Sequence, residues 1–290
     1  MNRISETDLI INEDGSAYHL NLLPGEVADT IITVGDQDRV AGISKYFDQI
    51  ELKKGKREFI THTGRIGNKR ITVISTGIGT DNIDIVLNEL DALVNIDFKT
   101  RLVNQNLKSL DIIRIGTSGA LRADIAVDSL LVSSSAFGLD PLMHYYEQEL
   151  TEADEALLKA FTSALPTGYK LSPYFAPAGK TLLDTLGAGL QQGITITAPG
   201  FYAPQGRQVR AVSTMPGFMD MLQNFKSGGQ RITNLEMETA GIYGLAASLG
   251  HKALSFNVIL ANRVTQVFST QPAQIMDHYI KQVLEKLADN

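Results

Sequence analysis

Cysteine is absent from all 290 residues. That absence excludes disulfides, thiolate nucleophiles, iron–sulfur clusters and cysteine-based zinc sites together. Long apolar runs are missing too. No stretch has the length of a membrane-spanning helix, and Met1 to Ile11 is polar and acidic, without the apolar core of a secretion signal. The expectation is a soluble, cytoplasmic protein with no membrane partner. Positive charge is in deficit: 26 Lys and Arg stand against 32 Asp and Glu, a net charge of −6. A protein whose main task was holding DNA or RNA would need a basic face, so nucleic acid is not an expected partner. Small anions stay open as ligands, because a few local charges outweigh a diffuse field. The five histidines (His19, His62, His144, His251 and His278) form no i, i+4 pair and no HExxH.

What is present is a globular composition, 43% hydrophobic and 20% charged, over a length that suits a single α/β domain spanning residues 1–290. Short apolar runs alternate with longer helical patterns. Strands are expected at Thr30–Val34, Arg70–Ser75, Asp111–Gly116, Ser129–Ser133, Gly193–Thr197 and Leu254–Leu260. Several are continuous Ile/Val/Leu runs, which suits central strands covered on both faces. Asp81 can cap a helix with Ile83, Val86, Leu87, Leu90, Leu93 and Val94 on one stripe. Thr151 can cap Glu152–Leu165, which Pro166 stops. A small-residue helix is expected over Met237–Leu249, ending at Gly250, and Pro272 opens a last one. Helices between strands imply crossovers and a parallel or mixed sheet. Glu51–Lys69, charged and alternating, reads as a rim hairpin, and Pro199–Thr233 as a long functional loop.

Several familiar signatures almost match and fail. Gly179-Lys180-Thr181 ends like a P-loop, but Tyr174 stands where its first glycine belongs. Thr76-Gly77-Ile78-Gly79 starts like a dinucleotide fingerprint, but Asn82 replaces the third glycine. Gly116-Thr117-Ser118-Gly119 resembles a nucleophile elbow, but Ala120 closes it.

Open α/β sheets bind ligands beyond the carboxyl ends of their strands, and those positions hold a consistent set. Gly35 and Asp36 begin a turn into a helix whose first turn carries Arg39, a cradle for phosphate or carboxylate or simply a surface arginine. Arg114, in an apolar strand, needs a paired charge. Beside it Gly116, Thr117, Ser118 and Gly119 add amide and hydroxyl donors. Phe201, Gln205 and Arg207 offer a ring face, an amide and a guanidinium to a planar heterocycle with alternating carbonyl and N–H edges. Glu236 and Glu238 flank Met237 at a helix start, able to accept sugar hydroxyls or merely to favour the helix terminus.

Together these residues resemble the nucleoside phosphorylase family, and within it the members that act on uridine. The matching motifs run in order from His19 in YHLNL through GDQDRV, KREF, STGIG, IIRIGTSGAL, FYAPQGR and NLEMETAGIYGLA to ANR, nearly the whole chain. The resemblance implies a three-layer α/β sandwich around a mixed, partly barrel-like sheet, assembled as homodimers or hexamers with shared active sites. It implies phosphate as co-substrate and no organic cofactor. Gly35, Arg39, Arg114 and Thr117 would hold phosphate, with Arg57 reaching in from a neighbour. Glu236, Met237 and Glu238 would hold ribose, with the neighbour's copy of His19. Ser118, Gly119, Phe201, Gln205 and Arg207 would hold uracil, and Arg39, Arg114, Gln205 and Arg207 would carry catalysis. A monovalent cation would sit near Glu58 and Ile78, although Asn82 replaces a serine there. Where purine-acting members carry an aspartate, this chain reads Ala261-Asn262-Arg263, the pyrimidine type. The segment from Val209 to Thr233 departs from the compact bacterial pattern. The competing expectations are a nucleosidase using water, a purine-preferring phosphorylase and a nucleoside-binding sensor without catalysis.

Overall fold

The computed structural model describes residues 3–289; Met1, Asn2 and Asn290 lie outside them, so the start of the N-terminal stretch discussed above is not described. The chain opens with β1 (Thr30–Val34) and α1 (Gln37–Ser44), then the antiparallel run β2 (Gln49–Lys56), β3 (Phe59–Ile66) and β4 (Lys69–Ser75). α2 (Thr80–Asn95) leads to a short ribbon, β5 (Ile96–Asp97) and β6 (Leu102–Val103). The long strands β7 (Asp111–Ala120) and β8 (Leu130–Gly138) precede α3 (Glu152–Ala164), β9 (Tyr174–Pro177), α4 (Lys180–Thr185) and β10 (Gln191–Thr197). Then come α5 (Phe218–Asn224), β11 (Lys226–Ser227), β12 (Gln230–Glu236) and α6 (Thr239–Ser248). β13 (Lys252–Asn262), β14 (Val267–Phe268) and α7 (Pro272–Ala288) complete the chain.

The main sheet is mixed. β1 lies parallel to β4 and β7, and β13 runs parallel to β7 but antiparallel to β8. β10 is parallel to both β8 and β12. β12 then returns to β7 through Asn234↔Ala120 and Leu235↔Gly119, closing β7, β13, β8, β10 and β12 into a barrel. β1, β4, β3 and β2 extend from it as an open wing. The result is a mixed α/β architecture with a partly closed sheet, the fold that the resemblance implied.

Helices cover both faces. α2 buries Ile83, Val86, Leu87, Leu90 and Leu93 on one stripe, against the same face as α6. α6 is buried all round from Thr239 to Ala246, which is why its sequence shows no polar stripe. Across the sheet α1, α4 and α7 pack on β1, β4, β7 and β13. α3 and α5 cover the outer barrel strands, where Phe137 stacks on Phe161 at 4.1 Å between ring centres.

All six expected strands form, β1 with the expected bounds and the others longer. Thr151 caps α3 as expected, through a reciprocal pair with Asp154. α2 differs: it starts at Thr80 on Gly79 (φ +95), with Asp81 inside its first turn rather than capping it. Two further expectations are corrected. Thr117, Ser118 and Gly119 are not a loop after a strand but the continuation of β7. Pro199–Thr233 is not one long loop, since α5, β11 and the start of β12 lie within it. β12 hides from an apolar-pattern reading because its buried residues include Thr233 and Asn234, polar groups turned into the structure. β9 is too short to announce itself.

Candidate active site

The site grows from the ends of β1, β7, β10, β12 and β13. Gly35 and Asp36 follow β1, and the Asp36 carboxylate accepts the Asp38 N–H at 3.0 Å, capping α1. This places Arg39 one turn into the helix, where it donates to the Ile115 carbonyl at 3.3 Å. Arg114 stands beside it in the middle of β7, 6% exposed. Its guanidinium donates to Glu238 at 2.6 Å and lies 3.0 Å from Glu236. It also reaches Asn257 at 3.2 Å and Ser255 at 3.4 Å. A side chain on Gly116 would fall inside that guanidinium, so the glycine is there to let Arg114 lie flat on its own strand. Both readings of Arg114 therefore hold: acids pair it, and it faces the site.

The electrostatics follow from this pairing. Burial works against the Arg114 charge, but Glu236 and Glu238 outweigh it and hold the guanidinium above its ordinary range. Burial, then the neighbouring Arg114 cation, pushes Arg39 below its ordinary range. An anion between the two arginines would relieve their repulsion, which is what a phosphate site needs.

Glu236 ends β12 rather than opening a helix. Its carboxylate accepts the Thr197 hydroxyl at 2.6 Å and the N–H groups of Glu238 and Thr239 at 2.9 Å, so it caps α6 from the preceding strand. Glu238 accepts the Gly79 N–H at 2.9 Å with one oxygen and Arg114 with the other. Burial raises its carboxyl above the ordinary range, partly offset by Arg114. Each oxygen keeps a free lone pair for a hydroxyl donor.

The opposite end is a surface turn. Ala203–Gln205 forms a single 3₁₀ turn that reverses at Gly206 (φ +67). Arg207 donates to the Phe201 carbonyl at 2.7 Å and to the Gln205 side-chain oxygen at 2.6 Å. Its guanidinium lies 3.8 Å from the Phe201 ring centre, so that face stacks on Arg207 rather than standing open for a base. Burial and then Arg263 push the Arg207 guanidinium down to about 10, so it stays a cation at neutral pH. Arg263 ties this turn to β13, donating to the Gln205 carbonyl at 3.1 Å. Asn262 points elsewhere: its amide donates to the Arg122 and Ile125 carbonyls, and its oxygen accepts the Val264 and Thr265 N–H groups.

One cavity of about 940 Å³ joins the two ends. Gly35, Arg39, Arg114 and Thr117 line one side; Glu236, Met237 and Glu238 its middle; Ser118, Gly119, Phe201, Gln205 and Arg207 the other. Gln37, Leu235, Leu260 and Phe268 also line it; the first two lie inside the GDQDRV and NLEMETAGIYGLA motifs without having been singled out, and the last two lie outside any of the candidate motifs. Glu58, Ile78 and Asn82 lie on its wall, an oxygen donor set compatible with a monovalent cation because Asn82 brings an amide oxygen. Among the described residues no cluster of three or more His, Asp or Glu could hold a metal ion.

Arg57 and His19 do not line this cavity. Arg57 sits at the tip of the β2–β3 hairpin in a left-handed conformation (φ +56), its guanidinium 6.0 Å from the Tyr18 ring centre. His19 is held 2.6 Å from Glu89. The two form a separate group on the rim.

The fold and this two-ended cavity define a class. The family model described as the phosphorylase superfamily matches residues 29–285, and the chain belongs to that family. It is 30% identical over 264 residues to a uridine phosphorylase of Thermococcus kodakarensis, covering 88% of this chain and 81% of the relative. A DeoD-type purine nucleoside phosphorylase of Tolumonas auensis is 28% identical over 242 residues, 82% of this chain and 83% of the relative. Among solved structures, a Trypanosoma brucei nucleoside phosphorylase described as showing uridine phosphorylase activity superposes with a TM-score of 0.89 at 31% identity, covering 98% of this chain and 100% of that one.

Proposed function

We propose that this protein is a uridine phosphorylase, a pentosyltransferase that reversibly converts uridine and phosphate into uracil and ribose 1-phosphate. One observation carries the reading: Arg39 and Arg114 share a single cavity with the Gln205–Arg207 turn. Phosphate held by Arg39, Arg114, the Gly35 backbone and Thr117 attacks the anomeric carbon as the glycosidic bond breaks. The bonding pair leaves with uracil, whose negative charge Arg207 and the Gln205 amide stabilise, while Glu238 and Met237 hold the oxocarbenium-like ribose. One such charged hydrogen bond is worth roughly 3 kcal/mol of transition-state stabilisation, about a hundredfold in rate.

The homologous purine enzymes make base preference the issue. Asn262, within the Ala261-Asn262-Arg263 stretch that stands where those enzymes carry an aspartate, spends its polar capacity on backbone groups and offers no acid to a purine ring nitrogen. Arg57 and His19 stand outside their own chain's cavity, which favours a homodimer or hexamer in which each chain completes its neighbour's site. The protein acts as one domain over residues 1–290, in the cytoplasm; among the described residues no helix is long and apolar enough to cross a membrane. The test is incubation with uridine, with and without phosphate. Uracil and ribose 1-phosphate should form only in the presence of phosphate. Equal uracil release without it would favour a nucleosidase, and no release in either tube a sensor.

A further inference from the structure

The barrel interior is polar. Starting at Arg114 on β7, Nη1 donates to Asn257 Oδ1 on β13 at 3.2 Å. The Asn257 amide donates to Ser133 Oγ on β8 at 2.9 Å, and Ser133 lies 2.5 Å from Thr195 Oγ1 on β10. Thr195 donates to Asn234 Oδ1 on β12 at 2.9 Å, and the Asn234 amide donates to Ser118 Oγ at 3.0 Å, back on β7. Asn257, Ser133, Thr195 and Asn234 are wholly buried, and none of them lines the cavity.

The proton inventory gives this ring a direction. Arginine is donor-only, so Asn257 must turn its oxygen to Arg114 and its NH₂ to Ser133. Thr195 has a single hydroxyl hydrogen and spends it on Asn234, so Ser133 donates to Thr195. Asn234 then has only its NH₂ left for Ser118. Every bond runs the same way, from the cation round the barrel to Ser118. Ser118 receives as an acceptor and keeps its own hydrogen free for the cavity. In a low-dielectric interior, hydrogen bonds aligned head to tail polarise one another.

We propose that Asn257 and Asn234 are positioning residues. Asn257 fixes the guanidinium of Arg114 for the phosphate, and Asn234 fixes the hydroxyl of Ser118 as a donor to the nucleoside. The ring joins the two substrate ends through the barrel wall. This rests on the uridine phosphorylase reading for what binds, but not for the hydrogen-bond direction.

The experiment compares Asn257→Leu, Asn234→Asp and Ser133→Ala with the unaltered protein. The first removes both bonds with a side chain of the same branching and heavy-atom count; the second keeps the acceptor facing Thr195 but deletes the donor to Ser118. Phosphate binding is read by calorimetry, which needs no turnover, and KM is read for each substrate separately. Asn257→Leu should weaken phosphate binding at least tenfold and leave the nucleoside KM within threefold. Asn234→Asp should raise the nucleoside KM at least fivefold with phosphate binding unchanged. Asn257→Asp, whose acid keeps an oxygen toward Arg114, should restore phosphate binding to within threefold, which a merely structural role would not require. If Asn257→Leu does not fold, the milder Ser133→Ala decides, with an expected threefold loss of phosphate affinity. Phosphate binding within twofold of the unaltered protein in a folded Asn257→Leu or in Ser133→Ala, or an Asn234→Asp effect on phosphate instead of nucleoside, would overturn the proposal. An unaltered protein that binds phosphate but leaves uridine intact would overturn the functional reading, while the calorimetric arms still decide this one.

Discussion

The two ends of the cavity hold arginines in opposite ways. Arg114 is part of the barrel, paired with Glu236 and Glu238 and fitted against Gly116. Arg207 sits on a surface turn, paired with nearby backbone and side-chain oxygens and stacked on Phe201. Removing a buried cation strands buried acids; removing the surface one strands little. The same residue type is therefore built into the barrel at one end and carried on a surface turn at the other.

Four substitutions can break or sharpen that contrast. Arg114→Met should be the most damaging, costing roughly 3–5 kcal/mol of stability because Glu236 and Glu238 lose their counter-charge, as well as abolishing phosphorolysis. Urea unfolding measures it, and a loss below 1 kcal/mol would mean the acids are not committed to Arg114. Arg207→Ala should lower uridine turnover about a hundredfold while thermal unfolding stays near that of the unaltered protein. Near-normal turnover in that variant would remove the uracil assignment; a stability loss matching that of Arg114→Met would erase the contrast itself. Asn262→Asp should cost about 1–3 kcal/mol, since a carboxylate cannot donate to the Arg122 and Ile125 carbonyls, and should confer no phosphorolysis of inosine. Acquisition of purine activity would show that this side chain can turn into the cavity. Phe201→Ala should have the smallest effect, about 0.5–1 kcal/mol in apparent uridine affinity from the lost ring contact with Arg207, read as a few-fold rise in KM.

Much of this was visible in the residues themselves. Ile/Val runs marked β1, the start of β7 and the second half of β13, and the Thr151 cap and Gly250 bounded their helices, because burial and capping leave local signatures. The chemical groups of the cavity were legible as well, since arginine, paired acids and a Phe–Gln–Arg turn are rare enough to notice. What escaped left no pattern in the local sequence. β12 carries Thr233 and Asn234 where a strand facing an apolar core would carry valines, so the barrel's polar interior erased the pattern that announces strands. The role of Gly116 was equally hidden, because it depends on where Arg114 folds back. The apolar lining residues Leu260 and Phe268 reach the cavity through the β13–β14 hairpin, whose second strand is only two residues long and leaves no pattern.

The barrel closes with a seam of two residue pairs, Asn234↔Ala120 and Leu235↔Gly119, the shortest of its joints and one pair shorter than the β8–β13 joint. Leu235 and Gly119 also line the cavity, one on each lip of that seam. Parting the lips breaks few ladder bonds, beside the Leu121–Thr233 backbone bond and the Asn234–Ser118 bond that also cross there. A ligand touching both lips acts as a clasp, and slower amide hydrogen exchange along the end of β12 becomes a gauge of occupancy that needs no turnover.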